Sequence, residues 1–318
     1  MSLGKIAVVI PAYKVVKHID SVLANIPETV SYVFVVDDAC PEKSGAHVQA
    51  TNSDPRVTVL FHSDNQGVGG AVMTGYEAAL ATDALVVVKV DGDGQMDLTQ
   101  LPRLVAPVLQ GRADYTKGNR FNSVEALEAM PRIRIFGNAV LSFMSKFSTG
   151  YWRITDPTNG YTAIHTQVLR DLKFVKIARR YFFESDLLFR LSLLRAVVQD
   201  IPMNAIYADE ESNLKISRIV GKFFWGNVKN FSKRVFYQYY LREWSTASFE
   251  LPLGVFLTLF GFVSAMVTWL DSFHRTTAAP AGTVMLSALP LIVGIQLLLA
   301  FINSDVESEP RFPRHTNT

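Results

Sequence analysis

Short apolar runs rich in valine and isoleucine recur in the first third of the chain, at Lys5–Ile10, Tyr32–Val36, Val57–Phe61 and Leu85–Val90. Stretches with helical spacing separate them, at about Val16–Asn25, Lys43–Thr51 and Gly69–Ala81. Apolar strands alternating with helices predict an α/β domain whose mainly parallel sheet is covered on both faces. The pattern changes towards the C-terminus. Leu251–Leu270 and Thr283–Ile302 each run 20 residues without a charge. At about 1.5 Å per residue each makes a helix of about 30 Å, the thickness of a bilayer's hydrocarbon core. The polar link Asp271–Gly282 is short, so the two read as a transmembrane hairpin. The rival reading, two buried helices of a soluble core, is disfavoured by the length of the charge-free runs. Pro290 and the glycines inside them are compatible with membrane helices.

Composition sharpens this picture. Of 318 residues 49% are hydrophobic and 19% charged, below the ~25% charged of soluble domains. The formal charge of +2 gives no nucleic-acid signature. Cys40 is the single cysteine, which excludes an internal disulfide and a cysteine-cluster metal site. The one charge concentration lies from Lys215 to Arg242: seven basic residues, no acidic ones, and aromatics from Phe223 to Tyr240 between them. Next to a span, this composition predicts amphipathic helices on an anionic cytoplasmic leaflet. The loop between the spans carries only Arg275, so the positive-inside rule places the N-terminal domain in the cytoplasm. The opening residues lack a signal-peptide pattern, since the apolar run Ile6–Ile10 is too short.

Ligands of α/β sheets bind beyond the carboxyl ends of the strands, and here those ends are polar. They carry Pro11-Ala12-Tyr13, Asp37-Asp38, Asp64 to Gly70, and Asp91-Gly92-Asp93-Gly94-Gln95. Singly each is weak, because acidic residues after a strand are often turn formers or helix caps. Four in succession point to a site. Asp91, Asp93 and Gln95 offer hard oxygens suited to Mg²⁺ or Mn²⁺ with substrate phosphates completing the shell, and Gly92 permits close approach of a diphosphate. Gly67-Val68-Gly69 follows the third strand and has Val72 where a dinucleotide fingerprint needs its last glycine. It reads instead as a strand-to-helix turn whose amides line a pocket.

The ordered set IPAY (10–13), VVDD (35–38), NQGVGGA (65–71) and DGDGQ (91–95) resembles the inverting family-2 glycosyltransferases of GT-A fold. With the C-terminal hairpin the chain is most similar to the polyprenyl-phosphate glycosyltransferases, the dolichyl-phosphate mannose or glucose synthases and their bacterial relatives. That resemblance implies a GT-A domain over residues 1–215, juxtamembrane amphipathic helices over 216–248, two spans within 249–304 and a polar tail over 305–318. It implies transfer of a hexose, with inversion, from a nucleotide-diphosphate sugar to undecaprenyl or dolichyl phosphate at the cytoplasmic face of the membrane. A UDP-sugar is favoured over GDP-mannose, and a homo-oligomer is expected.

Residue by residue, the resemblance implies that Pro11, Ala12, Tyr13 and Asp38 or Asp37 hold base and ribose, with Gly67 and Gly92 beside the donor. Asp91, Asp93 and Gln95 would bind the metal. Lys117 and Arg120 in KGNRF and Arg134 in RIFGN match basic positions that meet phosphates. Asp156 in DPTNGY matches the candidate catalytic carboxylate, with Asp93 as its partner in catalysis, and Ser212 and Lys215 in ESNLK match the acceptor-phosphate segment. Arg134 could equally be a surface helix residue and Asp156 a turn former before Pro157. The Glu184/Asp186 pair leaves the key carboxylate open, and Ala39-Cys40 stands where Gly-Ser is common. The main rival is a processive membrane polysaccharide synthase, which needs more spans and a QxxRW signature; Gln238, Arg242 and Trp244 have the wrong spacing. A non-enzymatic scaffold would be expected to lose the acidic motif, and a nucleotidyltransferase would want a glycine-rich N-terminal signature with lysine.

Overall fold

The computed structural model describes residues 4–121, 132–203 and 216–316, apart from the side chains of 132–134, 136 and 216–220. The chain forms two compact units, Met1–Ser232 with Pro310–Thr318, and Lys233–Glu309. In the first unit β1 (Ile6–Ala12), α1 (Ile19–Ala24), β2 (Val30–Asp37), α2 (Ser44–Thr51), β3 (Val57–Phe61), α3 (Val68–Leu80) and β4 (Val86–Lys89) alternate as the hydrophobic pattern predicts. Then come α4 (Leu101–Leu109), β5 (Tyr115–Asn119), α5 (Arg132–Thr149), β6 (Thr162–His165), α6 (Thr166–Asp171), α7 (Phe183–Leu193), β7 (Val198–Pro202) and α8 (Ile216–Phe236).

Among the described residues the strands make one sheet of order β3-β2-β1-β4-β6-β5-β7. β1 pairs in parallel with β2 and β4, β2 with β3, and β5 with β7, whereas β6 is antiparallel to both its neighbours. Successive residues of a strand face opposite ways. Ile6, Val8 and Ile10 of β1 therefore pack with Leu101, Leu104 and Val108 of α4. Ala7 and Val9 pack on the other face with Val72, Tyr76 and Leu187 of α3 and α7. Gly75 brings α3 onto β1, since a Cβ there would collide with the Val9 side chain. Pro11 is the penultimate residue of β1, not part of the following turn. Pairing with β4 has ended at Val9, so the missing N–H leaves no ladder bond unmade.

Residues 314–316 lie in the segment expected to be a polar tail. They form a single helical turn on the first unit. The Asp114 carboxylate is fully buried and accepts the N–H groups of Arg314 (2.8 Å), His315 (3.1 Å) and Val197 (2.7 Å). His315 Nδ1 lies 2.7 Å from it, and the His315 ring stacks on His165 at 4.1 Å. A carboxylate with this many donors fixes the segment that carries them, which composition alone does not disclose.

In the second unit α9 (Ala247–Arg275) and α10 (Ala281–Glu307) extend past both predicted spans. They are 29 and 27 residues long, and their most apolar windows have mean hydropathies of 2.0 and 2.4 and are only 11% and 17% buried. A soluble-core helix would be mostly buried, so these are helices long and apolar enough to cross a membrane. They approach closely at small residues: a Cβ on Gly261 would come within 2.6 Å of the Leu291 nitrogen. α8 continues into a π-helical turn over Tyr237–Arg242. Arg234 there grips Asp305 of α10 in a two-pronged pair (2.7 and 2.9 Å), and the Tyr239 hydroxyl donates to the same carboxylate (2.6 Å). Arg234 and Asp305 are each 1% exposed.

Removing one partner of such a pair strands a buried charge, at a cost of about 3–5 kcal/mol. Asp305→Ala is therefore expected to lower the unfolding temperature of the detergent-solubilised protein markedly. The double variant Arg234→Met/Asp305→Leu should lose less than Asp305→Ala alone, measured by intrinsic-fluorescence melting.

Candidate active site

The strand ends converge on a cleft of about 450 Å³ lined by Pro11, Ala12, Tyr13, Val15, Asp38, Asn65, Gly67, Val68, Ala71, Asp91, Gly92, Asp93 and Arg180. Of the adjacent acidic pair it is Asp38 that lines the cleft. Asp37 turns away and accepts the N–H groups of Cys40 (2.7 Å) and Gly45 (2.6 Å), closing the β2–α2 connection. Asp38 accepts from the N–H groups of Gln66 (2.8 Å) and Gly67 (2.7 Å), while His62 Nδ1 lies 2.8 Å from it and His62 Nε2 2.8 Å from Thr74. The carboxylate thus ties the end of β2 to the glycine-rich turn. Gly67 has φ +86, open to glycine at no steric cost, and a Cβ there would come within 2.7 Å of the Arg179 carbonyl.

Asp91 and Asp93 face this cleft together, while Gln95 is outside its lining; the Gln95 N–H donates to Asp93 Oδ1 at 3.0 Å. Two hard carboxylates on an open cleft fit a Mg²⁺ or Mn²⁺ ion whose other positions go to donor phosphates and water. Among the described residues no group of three or more His, Cys, Asp or Glu side chains is placed to hold a metal ion.

Lys89, which the sequence reading passed over, stands directly behind the motif. It is 2% exposed and reaches Asp91 Oδ1 (2.8 Å) and Glu184 Oε1 (3.3 Å). Burial alone would pull its pKa down, but the two carboxylates outweigh this and hold it above the usual lysine range. The β4–β6 register pairs Lys89 with Thr162, so two residues further along each antiparallel strand Asp91 meets Gly160. A Cβ on Gly160 would collide with both the Lys89 ammonium and the Asp91 carboxylate. Of the Glu184/Asp186 pair, Glu184 therefore stands behind the acidic motif, joined to it through Lys89. Asp186 accepts from the Ala178 N–H (2.9 Å) and from Asn230 Nδ2 (3.1 Å), joining α7 to α8.

The remaining basic candidates lie deeper than their sequence context suggests. Lys117 pairs across β6 with Thr162, is fully buried and donates to the Asn159 carbonyl; burial pulls its pKa down to about 8. Arg120 clasps Asp156 through Nε (2.7 Å) and Nη2 (3.1 Å). The Asp156 side chain is 0% exposed and that of Arg120 32%. Neither residue lines the cleft. Nearby, Asp200 accepts from the Thr155 N–H (2.9 Å) and from Asn119 (3.1 Å), and burial pushes it up to about 6. The Arg134 side chain and the whole of Ser212 and Lys215 lie outside the described residues. A second, apolar groove of about 240 Å³ lies between α5 and α8, walled by Phe143, Met144, Phe147, Phe224, Val228 and Phe231.

Residues 7–173 match the family Glycosyl transferase family 2. The chain belongs to that family. It is a glycosyltransferase. Over 218 residues it is 27% identical to the UDP-N-acetylglucosamine–dolichyl-phosphate N-acetylglucosaminyltransferase of Methanococcus voltae, covering 64% of this chain and 86% of the relative. It is 29% identical over 223 residues to the undecaprenyl-phosphate mannosyltransferase of Micrococcus luteus, covering 69% and 90%. Glucosyl-3-phosphoglycerate synthase from Mycobacterium tuberculosis, crystallised with Mn²⁺, UDP and phosphoglyceric acid, superposes with a TM-score of 0.54 at 18% identity over 73% of this chain and 78% of that one. This likeness shows the GT-A fold of the family-2 glycosyltransferase.

Two outcomes follow from the packing. Gly160→Ala is expected to displace Asp91 and to cut transfer activity by about 10²-fold, the scale of a catalytic group misplaced by about 1 Å; circular dichroism should still report a folded domain. The second concerns pH. Between about pH 4 and 6 native Asp200 keeps a proton that the unfolded chain releases, so its contribution makes stability fall as pH rises through that window. Asp200→Asn removes this contribution. The variant's melting temperature relative to wild type should rise from pH 4.5 to pH 7.

Proposed function

We propose that this glycosyltransferase moves a hexose from a nucleotide-diphosphate sugar onto a polyprenyl phosphate at the cytoplasmic membrane face. The observation that carries the reading is the cleft itself, where Asp91 and Asp93 line the same space as Tyr13, Asp38 and the Gly67 turn. One wall suits a nucleoside, the other a metal-bound diphosphate. The acceptor class is supported by the activities of the relatives named above, by two apolar helices, and by the groove between α5 and α8, part of whose wall belongs to the basic–aromatic stretch. A UDP-sugar is the preferred donor, and a homo-oligomer is the expected assembly.

Membrane sidedness draws on the residues after the hairpin. The Arg314 and His315 N–H groups donate to Asp114, so the chain before and after the hairpin belongs to the same unit, which supports a hairpin that returns to the side it leaves. The basic run before the hairpin supports the cytoplasmic side.

In the proposed reaction an acceptor phosphate oxygen attacks the anomeric carbon from the face opposite the leaving group. The bond from that carbon to the donor's β-phosphate oxygen breaks, its electron pair leaves with the nucleoside diphosphate, and the configuration inverts. A bound Mg²⁺ or Mn²⁺ supplies neutralisation of the charge that grows on the departing diphosphate. With a second pKa near 6 the acceptor phosphate is largely dianionic at pH 7, so no strong general base is required. Asp156 then serves the reaction by fixing Arg120, whose guanidinium faces the acceptor phosphate as a planar, permanently charged donor. Lys89 and Glu184 hold Asp91 in its orientation towards the donor.

The test is transfer from a panel of labelled nucleotide sugars to undecaprenyl and dolichyl phosphate in detergent. One donor should yield an organic-extractable product in the presence of Mn²⁺ or Mg²⁺. EDTA should abolish the product, and Asp93→Ala should lower it at least ~10³-fold, as removal of a transition-state charge stabiliser does. Metal-dependent donor hydrolysis or polymer without lipid product would overturn the acceptor assignment.

A further inference from the structure

The donor cleft has an imbalance of charge. Asp38, Asp91 and Asp93 line it, and among its described lining residues the one basic side chain is Arg180. A nucleoside diphosphate brings further negative charge, and one divalent ion shared between two carboxylates cannot offset all of it. Of the basic residues that the family resemblance puts forward for phosphate, the two whose side chains are described, Lys117 and Arg120, do not line this cleft. Lys117 is spent on the Asn159 carbonyl inside the sheet, and Arg120 is held by Asp156.

Arg180 reaches the cleft because its segment is built into the glycine-rich turn. The Gly70 N–H donates to the Arg179 carbonyl (3.2 Å). Arg179 Nη1 donates to Gln66 Oε1 (3.1 Å), and Arg180 Nη2 to the Asn65 carbonyl (3.3 Å). A Cβ at Gly67 would meet Arg180 Cγ at 2.8 Å, and one at Gly69 would meet the Ala178 carbonyl at 2.6 Å. The glycines of that turn therefore serve to seat the 178–180 segment. It arrives more than a hundred residues later in sequence and forms the wall of the cleft. The Arg180 side chain is exposed there, anchored at its backbone and by one long hydrogen bond to a neutral carbonyl. A guanidinium so placed can exchange that bond for a stronger, charge-assisted one to a phosphate oxygen.

We propose that Arg180 binds the donor's diphosphate across the cleft from Asp91 and Asp93, as the protein's own cation for the leaving group. This rests on the donor reading given above. It makes the turn Asn65–Gly70 a scaffold for an arginine as well as a source of amides.

The experiment measures equilibrium binding of UDP, GDP, uridine, guanosine and inorganic pyrophosphate, each with Mn²⁺, to the full chain in detergent. Wild type is compared with Arg180→Ala, Arg180→Lys, Asp93→Ala and Arg103→Ala, the last removing an equal charge on α4 outside the cleft. Arg180→Ala should weaken the preferred nucleoside diphosphate and pyrophosphate about 10- to 100-fold, the scale of a lost charge-assisted contact. Arg180→Lys should recover part of this loss, rising salt should shrink it, and Arg103→Ala should match wild type. Nucleoside binding should be unchanged in Arg180→Ala. Unchanged diphosphate binding in Arg180→Ala, or an equal loss for nucleoside and diphosphate, overturns the inference while leaving the donor reading in place. If wild type itself binds no nucleotide and Asp93→Ala changes nothing, the donor reading falls and the inference falls with it.

Discussion

A single buried ammonium organises the catalytic half of this molecule. Lys89 has no water to solvate it, and its charge is tolerable only because Asp91 and Glu184 stand within hydrogen-bonding reach. That requirement fixes the last residue of β4 against the first turn of α7. It also leaves no room at position 160 for a side chain, since β6 runs antiparallel beside β4. The Asp91 carboxylate that lines the cleft is thus oriented from behind by the fold itself, which is what preorganised electrostatics demands.

The second organising element is the glycine-rich turn. Asp38 draws it in from β2 through two amides, and the 178–180 segment closes over it from the other side. Three parts of the chain far apart in sequence share one backbone junction, and each presents a polar group to the same space. The structure therefore divides labour between cleft and interior. Asp38, Asp91, Asp93 and Arg180 face the cleft, whereas Asp37, Lys117, Asp156 and Asp186 hold loops and strands in place.

The sequence made the local features legible. Short apolar runs located β1 to β4, and helical spacing located α1 to α3, within a few residues, because these signals are local to each segment. The acidic motif after β4 and the two apolar helices were readable for the same reason. Properties set by cross-strand register were not. Nothing near position 89 distinguishes a lysine trapped between carboxylates from a solvated one, and Gly160 looks like any turn glycine until β6 is known to be antiparallel. Likewise KGNRF shows two cations on one strand end, and the fold sends Lys117 into the interior while Asp156 claims Arg120. Arg179-Arg180 had a readable signal, a pair of arginines before an aromatic–acidic helix start, but its destination over Gly67 is a tertiary fact.

The docking of residues 314–316 on Asp114 carries a consequence for how the protein is made. These residues leave the ribosome after both apolar helices, yet they satisfy a carboxylate belonging to the domain synthesised first. The bond network at the N-terminal edge of β5 cannot close until both apolar helices have been synthesised. Completion of the first unit is in this way chained to synthesis of both apolar helices, so a molecule truncated before residue 314 is left with an Asp114 carboxylate that lacks the Arg314 and His315 donors.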